Sequence, residues 1–165
     1  MSSPAVTAPA IDGGSTDNVG ITARTINGAA SVTYTCANLG ANTATLRVAD
    51  AAGNFSECTA TVTVVDNIAP VAACKNITVN LSAPTIPASV VDNGSSDNCG
   101  IASMLIDGGA NKTFSCANIG PNTVTFRVTD AAGNSNECTS TVTVVDNIAP
   151  VAACKNITVN LSAPT

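Results

Sequence analysis

The sequence predicts an all-β protein built of tandem β-sandwich modules with an 80-residue repeat. Three observations carry this. Runs such as TATLRVAD, TATVTVVD, NITVNL and TVTFRVTD alternate β-branched apolar residues with Thr or charge. Period two buries one face of a strand and wets the other. Clusters of Gly, Asn, Asp and Pro break these runs at the short, even spacing typical of a sandwich. The chain also repeats itself. Residues 36–60 lie on 116–140, residues 11–21 on 91–101, and residues 61–85 are identical to 141–165. A fixed period of this length is one small domain per repeat, too long for a solenoid turn.

The elements follow in order. A first strand runs over Val71–Leu81, kinked near Lys75, and a second over about Ile86–Val91. A hairpin then joins Ile101–Ile106 to Lys112–Cys116 through DGGA, where the first repeat has NGAA. Asp-Gly and Asn-Gly suit tight hairpin turns. Thr123–Asp130 and Cys138–Val145 are joined by AAGN and lead into the linker DNIAP. Pro150 in that linker has no N–H to give a ladder, so it marks a boundary. The frame is then 69–148 as a complete module and 1–68 as a module lacking its first strand. Residues 149–165 are the orphan first strand of a following module, donated to another chain.

Composition excludes several classes. Six Lys and Arg stand against eleven Asp and Glu, for a net charge of −5. No basic patch exists for nucleic acid. No apolar run reaches the roughly 18 residues that a membrane-spanning helix needs. MSSPAVTAPA has neither the basic start nor the apolar stretch of a secretory leader, and Met1 reads as a start placed on an excerpt. Aromatic residues are 2% of the chain. So small a core of Val, Ile and Ala is the kind that relies on staples or neighbours.

The seven Cys fit an oxidising, extracellular compartment. Cys74 and Cys138 both sit early in their strands, and the first strand of such a sandwich runs parallel to the last, which pairs Cys74 with Cys138. Cys99 precedes the hairpin and Cys116 ends it, leaving Cys99–Cys116 as the second pair. Val19 replaces the first repeat's counterpart of Cys99, so Cys36 is left without a partner. Cys58 and Cys154 then form an inter-chain disulfide candidate. A metal-thiolate site is disfavoured, since the chain has no CxxC and no His.

DGGSTDN, DNGSSDN, DAAGN and VVDN carry most of the acid. Asp, Asn and Gly are also what turns require. A sharper reading follows from topology. The loop after the second strand, the DAAGN loop and the incoming linker share one end of the module. Asp66, Asn67, Asp92, Asp97, Asp130 and Glu137 then converge at the joint between modules. Hard oxygen ligands of this kind suit Ca²⁺.

FRVTDAAGNSNECTSTVTVVDNIAPV, with CKNITVNL, DNGSSDNCGI and FSCANIGPNTVTFRVTDAAGN, resembles hyalin (HYR) repeats. It is similar also to the tandem repeats of giant surface adhesins of gliding Bacteroidetes, of the SprB type. The resemblance spans almost the whole chain. It implies immunoglobulin-like sandwiches, display at the cell surface and an adhesive or stalk role. Val19 departs from the four-Cys pattern.

No catalytic constellation accompanies these features. Without His there is no Ser-His or Cys-His base pair. No Gly-rich loop sits between a strand and a helix to cradle a phosphate. The leading reading is a non-catalytic structural repeat of an extracellular adhesin or filament. Its partners are neighbouring repeats or other copies of itself, joined head to tail by strand donation through Val151, Ile157 and Val159. The alternative is a ligand-binding adhesive module for surface glycans or other surfaces; the scarcity of aromatic stacking platforms weighs against glycans. Thr ladders such as TVTVV reflect ordinary strand propensity.

Overall fold

A computed structural model of the chain describes residues 4–161. The first sandwich contains β1 (Ala5–Thr7), β2 (Ile21–Ile26), β3 (Ser31–Thr33), β4 (Gly40–Asp50) and β5 (Phe55–Val64). The second contains β6 (Ile77–Asn80), β7 (Thr85–Pro87), β8 (Ile101–Ile106), β9 (Asn111–Thr113), β10 (Gly120–Asp130) and β11 (Ser135–Val145). In the second sandwich a four-stranded sheet, ordered β6-β11-β10-β8, faces the pair β7-β9. The first repeats this as β2-β4-β5 facing β1-β3, with no strand beside the outer edge of β5 among the described residues. Among the described residues no helix is long and apolar enough to cross a membrane.

Strand alternation places the core. Val124, Phe126 and Val128 of β10 point inward with Val142 and Val144 of β11. Val79, Ile86, Val91, Ile106 and Phe114 close over them from the other strands and loops. Each such side chain contributes about 1.5–3 kcal/mol on burial. The same inward parity carries one residue further, to Asp130 at the end of β10.

The strand expected over Val71–Leu81 divides between two layers. Val71 and Cys74 make single bridges to Ser96 and Asp92, and only Ile77–Asn80 pairs parallel with β11. The kink between them is pinned. Ser140 Oγ, itself buried, donates to the Lys75 carbonyl at 2.6 Å, and Thr141 N donates to Asn76 Oδ1 at 2.8 Å.

Two expected elements are corrected. Ile101–Ile106 and Lys112–Cys116 do not form one hairpin. They pair only at the turn, Ile106 with Gly109, and then part: β8 joins β10 while β9 joins β7. The turn itself has the left-handed pair that Asp-Gly supplies, with φ of 48° at Asp107 and 81° at Gly108. The parting lets Ile106 and Phe114 enter the core from opposite layers. Beyond β9, Cys116–Asn118 turns as a short 3-10 helix capped by Ser115 and Asn118. The strand expected over Ile86–Val91 stops at Pro87, after which Ala88–Val90 is another 3-10 turn. Its Pro has no N–H to extend the ladder.

The two sandwiches are not equally closed. The buried apolar core of the first is Ala8, Ile26, Ala44 and Leu46, while Val48 and Val62 are only half-buried. Their counterparts Val128 and Val142 are both 0% exposed. β6 is one difference, since among the described residues no strand covers β5 as β6 covers β11; Ala44 and Leu46 in place of Val124 and Phe126 are another. Residues 149–161 repeat the sequence of 69–81 yet form no strand and lie exposed, Val159 at 74% and Leu161 at 96%.

Val142→Ala should therefore destabilise the second sandwich by about 1.5–3 kcal/mol, the value of a fully buried Val. Val62→Ala, at the matching place, should cost less than half as much. Denaturant unfolding of the two variants, followed by amide hydrogen exchange within each sandwich, measures the difference.

Candidate metal centre at the joint between the sandwiches

Three loops meet where the chain passes from the first sandwich to the second. The linker after β5 brings Asp66, the loop before β8 brings Asp97, and the end of β10 brings Asp130. One carboxylate oxygen from each lies within 4.8 Å of the others. Asp66 and Asp130 are 8% and 3% exposed.

Each carboxylate is oriented by one local turn. Asp66 Oδ1 accepts from Ile68 N at 3.0 Å, and Asp97 Oδ2 accepts from Cys99 N at 2.7 Å. Asp130 accepts Asn134 N on Oδ1 and Asn134 Nδ2 on Oδ2, both at 2.8 Å. Burial pushes the Asp130 carboxyl up, but the Asn134 side chain and the backbone N–H groups of Asn134, Gly133 and Ala132 outweigh it and hold it below the usual carboxylate value. The other oxygens of the linker and loop acids, Asp66 Oδ2 and Asp97 Oδ1, are buried with no hydrogen-bond partner. Carboxylates this close repel one another, and an unpaired buried oxygen costs about 1–3 kcal/mol, more when charged. A hard divalent cation would answer both costs.

Asn134 also ties the linker down. Its Nδ2 reaches the carbonyls of Asp66 at 2.9 Å and Ile68 at 3.4 Å. Sequence reasoning missed this residue, although it stands inside the AAGN loop that the acidic pattern singled out.

Of the other expected ligands, Asp92 and Glu137 are engaged elsewhere, and Asn67 stays at the joint beside Asp66. Asp92 Oδ1 is engaged by Ser95 N and Ser95 Oγ at 3.0 and 2.6 Å, closing its own turn. In the first sandwich the matching Asp12 is also tied to Arg24, Nε–Oδ2 2.6 Å. Glu137 stands opposite Arg127 across the β10–β11 ladder, 4.0 Å away, on the outer face. Asn67 is exposed and lines a groove of about 620 Å³ at the joint, with Tyr34, Leu39 and Ile68.

Two disulfides flank this centre. Cys74–Cys138 joins the kinked first strand to β11, with Cα atoms 6.1 Å apart. Cys36–Cys99 joins the first sandwich to the second, with Cα atoms 5.3 Å apart.

Residues 65–144 match the HYR domain. The match supports the HYR, immunoglobulin-like repeat family, whose modules are of the extracellular adhesion type. No curated protein sequence matches the chain. The crystal structure of Protocadherin Gamma C5 EC1-3 is similar at 10% identity and a TM-score of 0.41, over 67% of this chain. The chain spans 44% of the length of that one.

Cys36–Cys99 corrects the pairing expected for the HYR segment. The sequence reading pairs Cys99 with Cys116 and leaves Cys36 without a partner, whereas the bond runs from Cys36 to Cys99. The reason is positional. Cys36 follows β3 in a 3-10 turn at the end of the first sandwich that faces the joint. Cys116 occupies the same turn of the HYR segment and so lies at its far end, away from Cys99. Cys58, Cys116 and Cys154 are exposed thiols. One signal of this bond was available in the sequence: Cys36 is present although Val19 leaves its repeat without a counterpart of Cys99.

Because Cys99 N caps Asp97, the bridge also fixes an acidic loop against the linker. Removing it with Cys36→Ser and Cys99→Ser together should leave Val142 and Phe126 protected from hydrogen exchange. The Ile68 amide, bonded to Asp66, should exchange faster. Equal exchange at Ile68 in both proteins would show that the bridge does not hold the joint.

Proposed function

We propose that the chain is a non-catalytic, load-bearing repeat of a large surface adhesin, of the gliding-motility type that its motifs resemble, stiffened at each joint by a disulfide and a bound Ca²⁺. Asp66, Asp97 and Asp130 are the ligands. The single observation that carries this is the pair of buried, partnerless carboxylate oxygens, Asp66 Oδ2 and Asp97 Oδ1, beside Asp130. The HYR match and the two disulfides support an extracellular, adhesion-type setting.

A stalk needs joints that do not bend freely. Without a cation, three carboxylates repel across this joint. With one, linker, loop and β10 are drawn to a common centre. The glycan alternative is weakened by the aromatics. Tyr34, Phe114 and Phe126 are buried, and Phe55 has Arg47 3.8 Å from its ring centroid.

Assembly extends the same reading. Residues 149–161 add to the outer edge of β5 in another copy, with Ile157 and Val159 seated as Ile77 and Val79 are on β11, and Val151 where Val71 lies. Cys154 then meets Cys58. The operation is head-to-tail and does not close, so it builds a filament.

Calorimetry with calcium chloride tests the cation site. The wild-type chain should bind with a dissociation constant of about 0.1–1 mM, the range of extracellular modules. Asp97→Asn should abolish that binding, and Glu137→Gln should leave it unchanged. Equal binding by the wild type and Asp97→Asn would sink the assignment.

A further inference from the structure

The first sandwich carries two thirds of a second acidic centre, and its third member stands at the other end of the chain. Asp17, Asp50 and Asn54 are the counterparts, 80 residues earlier, of Asp97, Asp130 and Asn134. They are already set in the same geometry. Asn54 N and Nδ2 donate to Asp50 Oδ1 and Oδ2 at 2.8 and 2.7 Å, as Asn134 does to Asp130. Asp17 Oδ2 accepts from Val19 N at 2.9 Å, as Asp97 Oδ2 accepts from Cys99 N. The difference lies in what rests on them. In the second sandwich the Asn134 side chain also holds the linker carbonyls of Asp66 and Ile68. In the first, Asn54 has no bond to a linker carbonyl among the described residues, and a cleft of about 190 Å³ opens there, lined by Thr16, Asp17, Ile21, Asp50 and Asn54.

The matching linker is 145–149. Asp146 is exposed, and its Oδ1 accepts from Ile148 N at 3.0 Å, the same turn that Asp66 makes with Ile68. Behind it, Pro150–Leu161 is identical to Pro70–Leu81, whose Ile77–Asn80 pairs with Val142–Val145. On the acceptor side, Thr61–Val65 is identical to Thr141–Val145. Donor and acceptor thus reproduce, letter for letter, a pairing already present in the chain.

We infer that strand addition between two copies builds a new cation site, with Asp146 of one copy set beside Asp17 and Asp50 of the next, so that assembly itself depends on a divalent cation. This rests on the strand-addition reading and on the ligand set Asp66, Asp97 and Asp130. The joint between copies differs from the joint within one in its covalent staples. Cys116 of the donor faces Val19 of the acceptor, so no bridge like Cys36–Cys99 forms. Cys154 meets Cys58 as Cys74 meets Cys138. Oxidised glutathione closes that bond: two thiols lose two protons and two electrons, one disulfide forms, and two glutathione thiols are released. Ala60 stands where Ser140 holds the Lys75 carbonyl, so the donated strand lacks that hydrogen bond and leans more on the cation.

Sedimentation velocity on the full chain, in calcium chloride and in chelator, tests this. Calcium should lower the protein concentration needed for assembly by about tenfold, a usual size for coupling between linked sites. Asp146→Asn should still assemble and still bind calcium at Asp66, but its assembly should no longer respond to the ion. Val159→Asp, exposed in the free chain, should stay monomeric in both buffers. With oxidised glutathione, Cys116→Ser should give the disulfide-linked ladder of the wild type, and Cys154→Ser should not. Wild-type assembly indifferent to calcium, or a calcium response retained by Asp146→Asn, overturns the cation inference while strand addition stands. A wild type that never assembles, or a Val159→Asp variant that assembles as well as the wild type, overturns strand addition and the inference with it.

Discussion

One strand decides how complete each sandwich is. Where Ile77–Asn80 lies parallel to β11, the edge is covered, Val79 reaches the core and Val142 and Val144 leave water. Where that strand is lacking, the same TVTVV sequence in β5 stays half in solvent. The segment and its register on the neighbouring strand are shared, although the first core is also smaller, with Ala44 and Leu46 where the second has Val124 and Phe126. A β edge exposes unpaired N–H and C=O groups as well as apolar surface, so its cover supplies two kinds of stabilisation at once. The cover also fixes the joint. The chain that forms β6 has just crossed from the first sandwich, and its path past Asn134 is what carries Asp66 to Asp97 and Asp130.

The joint therefore works by convergence rather than by area. A linker carboxylate, a loop carboxylate and a strand-end carboxylate come to one point, each aimed by its own short turn. The disulfide Cys36–Cys99 ties the same loop to the first sandwich, and the Cys99 N–H donates to Asp97. Two independent devices thus act on the same few residues, one covalent and one electrostatic. In the unfolded chain, closing a loop of this length costs entropy that a disulfide removes in advance, about 4 kcal/mol in the chain-entropy account.

Much of this was legible in the letters. Period-two alternation located β10 and β11, and the exact repeat suggested a frame for the modules. The reasoning that the linker, the loop before β8 and the end of β10 share one end of the module brought Asp66, Asp97 and Asp130 onto one list. The same list took in Asp92 and Glu137, because letters do not say that Asp92 closes its own turn with Ser95 or that Glu137 falls on the outer parity of β11. The hairpin was misread for a similar reason. Asp107-Gly108 specifies a tight turn but not whether the strands stay together after it, and here the demands of two core layers separate them. The bond from Cys36 to Cys99 was hidden by the assumption that each repeat closes its own cysteines. Bonds between repeats follow from how modules stack, which no spacing within a module encodes.

The parallel lie of β6 and β11 has a mechanical consequence. Pulling on the two termini of this sandwich loads its first and last strands in opposite directions along their length, so the ladder between them is sheared rather than peeled. Its bonds resist together instead of one at a time. Cys74–Cys138 adds a covalent shortcut across a sequence separation of 64, so force can pass from one strand to the other without stretching the chain between them. Such a module gives little slack when its ends are drawn apart.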